Sequence, residues 1–418
     1  MSFSKDSRVR EKFRIASSRR RSRSTFPVVA LVLGLLVGLV GVVGAMSLHG
    51  STLGSRGQAG RASSSSTSGV WSVPSNEVDA PIVPIPGGAN GGSAGFNSVS
   101  CTSVTQCVGV GANGALQAVA DSTSSSGATW KHGSVQQGVP VLDAVACATA
   151  QRCVAVGRGV AVSSSDGGVT WTTESIPTPN TTLLDVSCPS ASACVSVGVS
   201  PGASGPFQGQ VLISSDGGVT WAASSLPPGA GALGSVSCPT TTLCVAVGAS
   251  ILVSTDAGVT WSERAVAGGT GVLRSVACSS ASTCVALWPN PAVAQDTAAP
   301  AYAILTTDGG QTWAPVTMAP GTGDLFALAC SPQGHCEAAG SSPVGATAVQ
   351  VMSSDGGATW RVDPSAAALD AVSAVACVSA TCLFAGRQGG APVTSTESAG
   401  TSVANGTVSA LIRVGRSS

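Results

Sequence analysis

The chain is poor in the groups on which most protein chemistry relies. Charged residues fill 10% of its 418 positions and aromatic residues 4%, with one tyrosine, Tyr302, and three histidines, His49, His132 and His335. A histidine-based metal site therefore has little to be built from. Beyond residue 12 the only lysine is Lys131, which argues against nucleic acid as a partner, because phosphate binding draws on clustered cations. No triad, phosphate loop or metal constellation stands out, so neither a cofactor nor a resident metal is expected and no catalytic residue is assigned. Long apolar runs are absent with one exception.

That exception is residues 27–48, "PVVALVLGLLVGLVGVVGAMSL", which carry no charge. A helix of this length covers about 30 Å, enough to cross a bilayer core. The zero net charge of the chain also hides an asymmetry: residues 1–26 hold nine basic against two acidic side chains (+7), the remainder 11 against 18 (−7). A basic block before an apolar run predicts a cytoplasmic N-terminus with everything after it exported. The alternative is a cleaved signal peptide, with Val43 and Ala45 at the small-residue positions. The apolar stretch is longer than the usual cleavable one, which favours a retained anchor. The expected organisation is a basic cytoplasmic tail (1–26), a transmembrane signal anchor (27–48), a Ser/Gly-rich stalk (49–68) and an extracellular or periplasmic domain (69–414).

What the chain has in abundance is glycine, 53 residues, and cysteine, 14 residues. The cysteines fall as Cys101/Cys107, Cys147/Cys153, Cys188/Cys194, Cys238/Cys244, Cys278/Cys284, Cys330/Cys336 and Cys377/Cys382, six with five intervening residues and the last with four. None is left over. Zinc motifs usually use shorter gaps and often histidine, and an exported domain is oxidising territory, so seven local disulfides are expected, each clipping a short loop. Successive pairs start 46, 41, 50, 40, 52 and 47 residues apart, which marks an internal repeat.

One unit reads "LLDVSCPSASACVSVG…GQVLISSDGGVTWAASSLPP". Its four β-branched, alternating segments predict four short strands, with the cysteine pair bridging the first hairpin and the Asp phrase turning the second. Within that phrase, Asp-Gly answers the demand for positive φ. The Asp carboxylate and the leading Ser or Thr can accept turn amide hydrogens. The Trp covers the hairpin base.

The spacing S/T-x-D-x-G-x-T-W resembles the Asp-box, or BNR, repeat. Five copies match, around Asp166/Trp171, Asp216/Trp221, Asp256/Trp261, Asp308/Trp313 and Asp355/Trp360; "TSSSGATW" at 123–130 is a weakened sixth, with Ser125 where Asp belongs. Members of that family form β-propellers, and a period of 40–50 residues with four strands points the same way. The expected fold is an all-β, seven-bladed propeller with Asp-box hairpins. The last unit lacks its Trp, so Trp71 and the segment around 69–74 are expected to supply its outer strand; residues 406–414 are the rival.

Asp-box propellers include sialidases. These need a tyrosine nucleophile with a carboxylate partner, an arginine cluster and an F-R-I-P motif. Here "FRIA" at 13–16 precedes the apolar run and lacks the Pro, and Tyr302 is placed in an outer hairpin strand or the loop before it. A sialidase-type glycoside hydrolase is therefore the alternative, and a non-catalytic binder of protein, peptide or glycan the preferred reading. All length variation falls in the second-to-third and fourth-to-first connections, which share one face. Insertions on one face often mark the binding surface; Phe207, Trp288, Asp296 and Tyr302 are the contact candidates there.

Overall fold

The computed structural model describes residues 83–84, 95–113, 115–201, 207–265, 271–288, 301–320, 322–341, 348–362, 369–388 and 391–398. The basic tail, the 27–48 run, the stalk, Trp71, Asp296 and residues 406–414 lie outside them. Among the described residues no helix is long and apolar enough to cross a membrane.

Every element described is a strand, and the strands form seven four-stranded antiparallel sheets. Six of the sheets are meanders of two hairpins, as the repeat unit predicts, and the seventh takes its fourth strand from elsewhere in the chain. Burial falls from the second and third strands outward. Cys153–Gly157 and Cys244–Gly248 are buried at every position, whereas the outer strands Ala222–Ala223 and Lys131–His132 are exposed. The continuous Val/Ala runs of the second strands follow from that position, since both of their faces are covered. The inner strands are Gly95–Cys101, Leu142–Cys147, Thr182–Ser187, Leu233–Ser237, Ser275–Cys278, Asp324–Cys330 and Ala371–Val378; each lies against the next, and the last returns to the first. The fold is an all-β propeller.

The seven disulfides join the cysteines as paired in sequence, each across the first hairpin of a sheet. Spacing marked them only as loop clips, and their burial corrects that picture. The second cysteine of every pair, Cys107, Cys153, Cys194, Cys244, Cys284, Cys336 and Cys382, is buried. Each lies at the start of a second strand, the one covered on both faces, so its sulfur packs as core as well as closing a loop. Cys194 sits among Leu183, Val186 and Trp221, and Cys284 among Val276, Ala286 and Ile304. The first cysteines, Cys101, Cys147, Cys188, Cys278, Cys330 and Cys377, are half-buried at the strand ends; Cys238 alone among them is buried.

The fourth strand of the last sheet comes from the N-terminal side, where Val83 pairs with Thr394 and Pro84 with Val393. It is therefore Val83–Pro84, not the 69–74 segment the sequence suggested. Proline is tolerated there because the strand is an edge and needs no donor on its outer side.

The aspartate turns are alike in all five copies. In the third sheet Ser214 Oγ accepts the Gly218 amide at 2.8 Å, while Asp216 Oδ1 accepts the amides of Val219 (3.1 Å) and Thr220 (2.9 Å). Asp166, Asp256, Asp308 and Asp355 likewise accept the amide of the turn threonine four residues on, each at 2.9 Å. Trp221 donates its indole N–H to Gly218 O at 2.9 Å. Both glycines sit at positive φ, 79° for Gly217 and 89° for Gly218, a conformation that costs other residues energy. These exposed carboxylates are held below their ordinary pKa by the donors around them, Asp216 at about 2. The turn lacking Asp keeps the pattern: Ser125 Oγ accepts the Thr129 amide at 2.9 Å.

The turn tryptophans do more than cover their own hairpins, which is all the repeat suggested. Each is a wedge between its own sheet and the one before. Trp171 packs on Val108, Val110 and Ala120 of the first sheet, and Trp221 on Val154, Val156 and Ala161 of the second. Trp261 packs on Val195, Val197 and Val211 of the third, and Trp313 on Val245, Val247 and Val253 of the fourth. Trp360 lies against Val285, Leu287 and Ala303 of the fifth, but only partly buried, unlike the other wedges. Its indole N–H still goes to Gly357 O at 2.9 Å, so the turn itself is intact. Trp130 closes the ring, packing on Leu383 and Ala385 of the seventh sheet. Its indole N–H goes to Thr394 Oγ1 at 3.1 Å. Among the described residues the seam between the sixth and seventh sheets has no such wedge. Leu369, Val372 and Phe384 fill it.

Candidate functional site

The site begins with a backbone irregularity that repeats around the ring. Counted back from the first cysteine of each pair, the fifth residue is a large apolar one in every copy, from Phe96 to Leu142, Leu183, Leu233, Leu273, Leu325 and Val372, and all are buried. The fourth residue back is never the same. It is the extra residue of a β-bulge, the register shifting between Phe96 and Ser98, Leu142 and Ala144, Leu183 and Asp185, and at the equivalent places in three further sheets. A bulge re-aims the side chain it adds, and here it points the extra residue at the central channel.

The bulge requires glycine opposite it. At Gly157 an added Cβ would lie 2.1 Å from Val141 O, and at Gly248 2.2 Å from Ala232 O. Only the fifth sheet departs from this. Its pairing starts at Ser275↔Leu287, and Trp288 stands where the other sheets have glycine.

The channel forms a cavity of about 290 Å³ lined from all seven inner strands. Because each bulge lies near the start of its strand, the mouth opens on the face of the variable connections. Asn97, Asp143 and Ser373 are the polar bulge residues, joined by Arg274 at the equivalent position of the unbulged fifth sheet; Leu184 and Phe326 are the apolar ones, and Gly234 leaves room. Most of the polar lining closes seams between sheets. Asn97 Nδ2 donates to Leu142 O at 3.0 Å, and Ser373 Oγ to Phe96 O at 2.6 Å. Arg274 pairs with Asp324 of the sixth sheet at 2.9 Å. Asp185, one residue past its bulge, accepts Ser235 Oγ (2.8 Å) and the Val236 amide (2.9 Å) of the fourth sheet.

Asp143 is different. Its Oδ2 is shielded from solvent and accepts no hydrogen bond within the protein. Burial raises its pKa to about 6, and the charge of Arg158 opposes that rise only in part. Asp185 is also raised to about 6, by burial against three hydrogen bonds that pull the other way. Two carboxylates of one cavity are thus incompletely compensated for leaving water.

Of the contact candidates named from the sequence, the fold brings Trp288 and Tyr302 together and leaves Phe207 in another sheet, while Asp296 lies outside the described residues. Phe207 is exposed at the third sheet. Trp288 and Tyr302 lie directly opposite each other in the fifth. Trp288 is half-buried against the cluster of Val245, Val247 and Trp313, and Tyr302 stays exposed. Neither lines the channel. Sequence reasoning missed Asp143, Asp185 and Arg274, although alignment on the cysteines singles out one varied position beside an invariantly apolar one.

Two other polar groups lie apart from the channel. Buried Asp121 meets exposed His132 at 2.7 Å. His335, Glu337 and Cys382 bring ligand-type atoms within 4.8 Å of one another, but Cys382 is bonded to Cys377 and offers no thiolate. On the cysteine-loop side a cavity of about 200 Å³ lies between the first two sheets, among Gln106, Lys131, Gln151 and Asp166.

No protein-family model matches the chain, and no curated protein matches it by sequence. Solved structures do. YCF48 bound to D1 peptide superposes with TM-score 0.55 at 13% identity, covering 79% of this chain and 98% of the other. YCF48 from Cyanidioschyzon merolae gives 0.52 at 16%, covering 76% and 97%. The GH74 xyloglucanase from Xanthomonas campestris gives 0.51 at 17%, covering 73% and 52%. At such identities the likeness establishes the propeller fold, which binding proteins and glycoside hydrolases share.

Proposed function

We propose that this chain is a membrane-tethered, exported propeller of the Asp-box kind, its seven sheets seven blades, acting as a non-catalytic scaffold that binds a protein or peptide at the channel mouth. Residues 1–26 stay in the cytoplasm, 27–48 cross the membrane and 49–68 form a stalk. The observation that carries the binding reading is the bulge position. The residue before it is held large and apolar by packing, while the position itself lines a built cavity with a different residue from each sheet. YCF48 bound to a peptide provides a precedent for the architecture.

The test is a surface cross-linking pull-down with the intact chain, a variant with 289–300 cut to a short Gly/Ser turn, and Gly234→Trp. The last plugs the channel, and a Cβ at Gly234 meets nothing closer than 3.7 Å. A partner lost with Gly234→Trp and kept by the loop cut supports the channel mouth. A partner lost only with the loop cut moves the site to the variable loops, and one kept by both rejects this face.

The second reading is a glycoside hydrolase, favoured by two raised carboxylates in one cavity, since such enzymes use a carboxylate pair. Tyr302 has no place in it, because it lies outside the channel. Turnover of aryl glycosides, sialosides included, that is lost in Asp143→Asn would establish it.

A further inference from the structure

The channel is built to be completed by a positive charge. Resting on the channel mouth as the binding site, we propose that its occupant is a peptide or protein segment that inserts a lysine or arginine side chain against Asp143. Four observations lead there.

The first is the orphaned oxygen. Asn97, Asp185, Arg274 and Ser373 all bond across a seam, so their polar atoms are spent on holding the ring. Asp143 Oδ2 is buried with no partner. A shielded carboxylate oxygen without a donor is costly, and an incoming ammonium or guanidinium supplies the donor and the countercharge together.

The second is the state of the cations already present. Arg274 is neutralised by Asp324. Arg158 is exposed in the tight turn between the second and third strands of its sheet, where its backbone bridges to Thr182. Among the described residues no ion pair joins it to Asp143, and it acts on that carboxylate only through space. The channel thus presents Asp143 and Asp185 without an intimate cation.

Third, Leu184 on the neighbouring inner strand and Phe326 farther round the ring put two apolar side chains into an otherwise polar lining, against which the methylene stem of a long basic side chain can rest. Fourth, the volume is right. A cavity of about 290 Å³ sits at the lower end of the ~300–1,000 Å³ that ligand pockets span, room for an extended side chain and not for a folded element. The domain after residue 26 carries an acidic excess of seven, which steers a basic segment toward it.

The full-length chain in detergent is titrated with a fluorescein-labelled Gly-Ser-Gly-Lys amide and with its acetyl-lysine and glutamate counterparts, followed by polarisation. The lysine peptide is expected to bind. Acetylation, or Asp143→Asn in the protein, should weaken it at least tenfold, and Gly234→Trp should abolish binding. Asp143→Glu, which keeps the charge, should retain most of it. Unequal loss between the lysine and acetyl-lysine peptides that disappears in Asp143→Asn is a signature misfolding would not produce. If Gly234→Trp blocks all three peptides and acetylation makes no difference, the channel reading stands and the cationic occupant falls. If Gly234→Trp blocks none of them, both fall. If spermine binds through Asp143 and the lysine peptide does not, a free polyamine replaces the segment proposed.

Discussion

The two ends of each inner strand obey different rules, although only a few residues separate them. At the cysteine end every copy repeats itself. A disulfide clips the hairpin, and where serine or aspartate is present it accepts a hydrogen bond from the next sheet, as Ser187 Oγ does from the Cys238 amide at 3.0 Å and Ser237 Oγ from the Cys278 amide at 3.1 Å. At the channel end the residue at the bulge position, or at its equivalent in the fifth sheet, is asparagine, aspartate, leucine, glycine, arginine, phenylalanine or serine. The first end touches a neighbouring sheet in every direction, so its chemistry is dictated by packing. The second faces the channel, where side chains of different kinds fit, some closing a seam and some not. Conformity marks the scaffold, and individuality marks the surface left over for a ligand.

The sharpest way to break this contrast is to disturb the backbone that separates the two ends. Gly248→Ala places a Cβ 2.2 Å from Ala232 O. Either the bulge or the pairing must give way, at a cost of about 3 kcal/mol or more, at the upper end of overpacking effects. Chemical denaturation should show it, and Gly234→Ala on the facing strand should be nearly silent.

A smaller loss is expected at the aspartate turns. Asp216→Ala removes the acceptor for the Val219 and Thr220 amides and for two hydroxyls, about 1–2 kcal/mol when solvent replaces part of what is lost. Ligand binding should be untouched. Asn at Asp143, in contrast, should change binding and leave midpoints of unfolding close to wild type at pH 4, where the cost of its buried charge is relieved.

Titration separates the two ends by sign. Asp143 has its pKa raised to about 6 from 3.8, so the folded state binds its proton more tightly than the unfolded one. Its contribution penalises the fold above pH 6 and is relieved as pH falls from about 6 to 4. Asp216 has its pKa lowered to about 2, so its stabilisation is full above about 4 and is lost as pH falls towards 2. Comparing the pH dependence of urea midpoints for wild type, Asp143→Asn and Asp216→Ala should remove the first component in one variant and the second in the other. A profile unchanged in Asp143→Asn would mean its carboxylate is better solvated than the structure shows.

The smallest effect is a gain. Ala257 occupies the turn position that is glycine in the other four copies, at φ 64°. Ala257→Gly relieves that strain and should stabilise the fourth sheet by about 0.5–1 kcal/mol, less the extra entropy of the unfolded chain. Thermal midpoints should rise slightly or stay level, and a fall would show that the Ala257 methyl makes a contact of its own.

Much of the scaffold could be read before any coordinates. The cysteine spacing, the four strands per unit and the repeated Asp phrase are local patterns, because disulfides over five or six residues and hairpin turns depend on near neighbours in sequence. Trp171 and its counterparts were legible as hairpin covers, yet their role as wedges on the preceding sheet was not, since that partner is some 50 residues away. The same holds for Cys194, Cys284 and Cys336, whose pairing is local and whose burial depends on the neighbouring sheet. The candidate site was less legible still. Aromatic residues in and beside the variable loops drew attention to Phe207, Trp288 and Tyr302, which the fold keeps out of the channel, and Asp143 looked like one more polar residue in an alternating strand.

The sequence by itself determined the repeat, the clipped hairpins and the turn chemistry, all of which act within a single unit. Only the tertiary structure decided which residues meet. It turned one position per sheet towards a common axis, made glycine obligatory opposite the six bulges, and left Asp143 Oδ2 without a partner. These follow from closing the sheets into a ring, and no single repeat contains the information about what faces it across the channel.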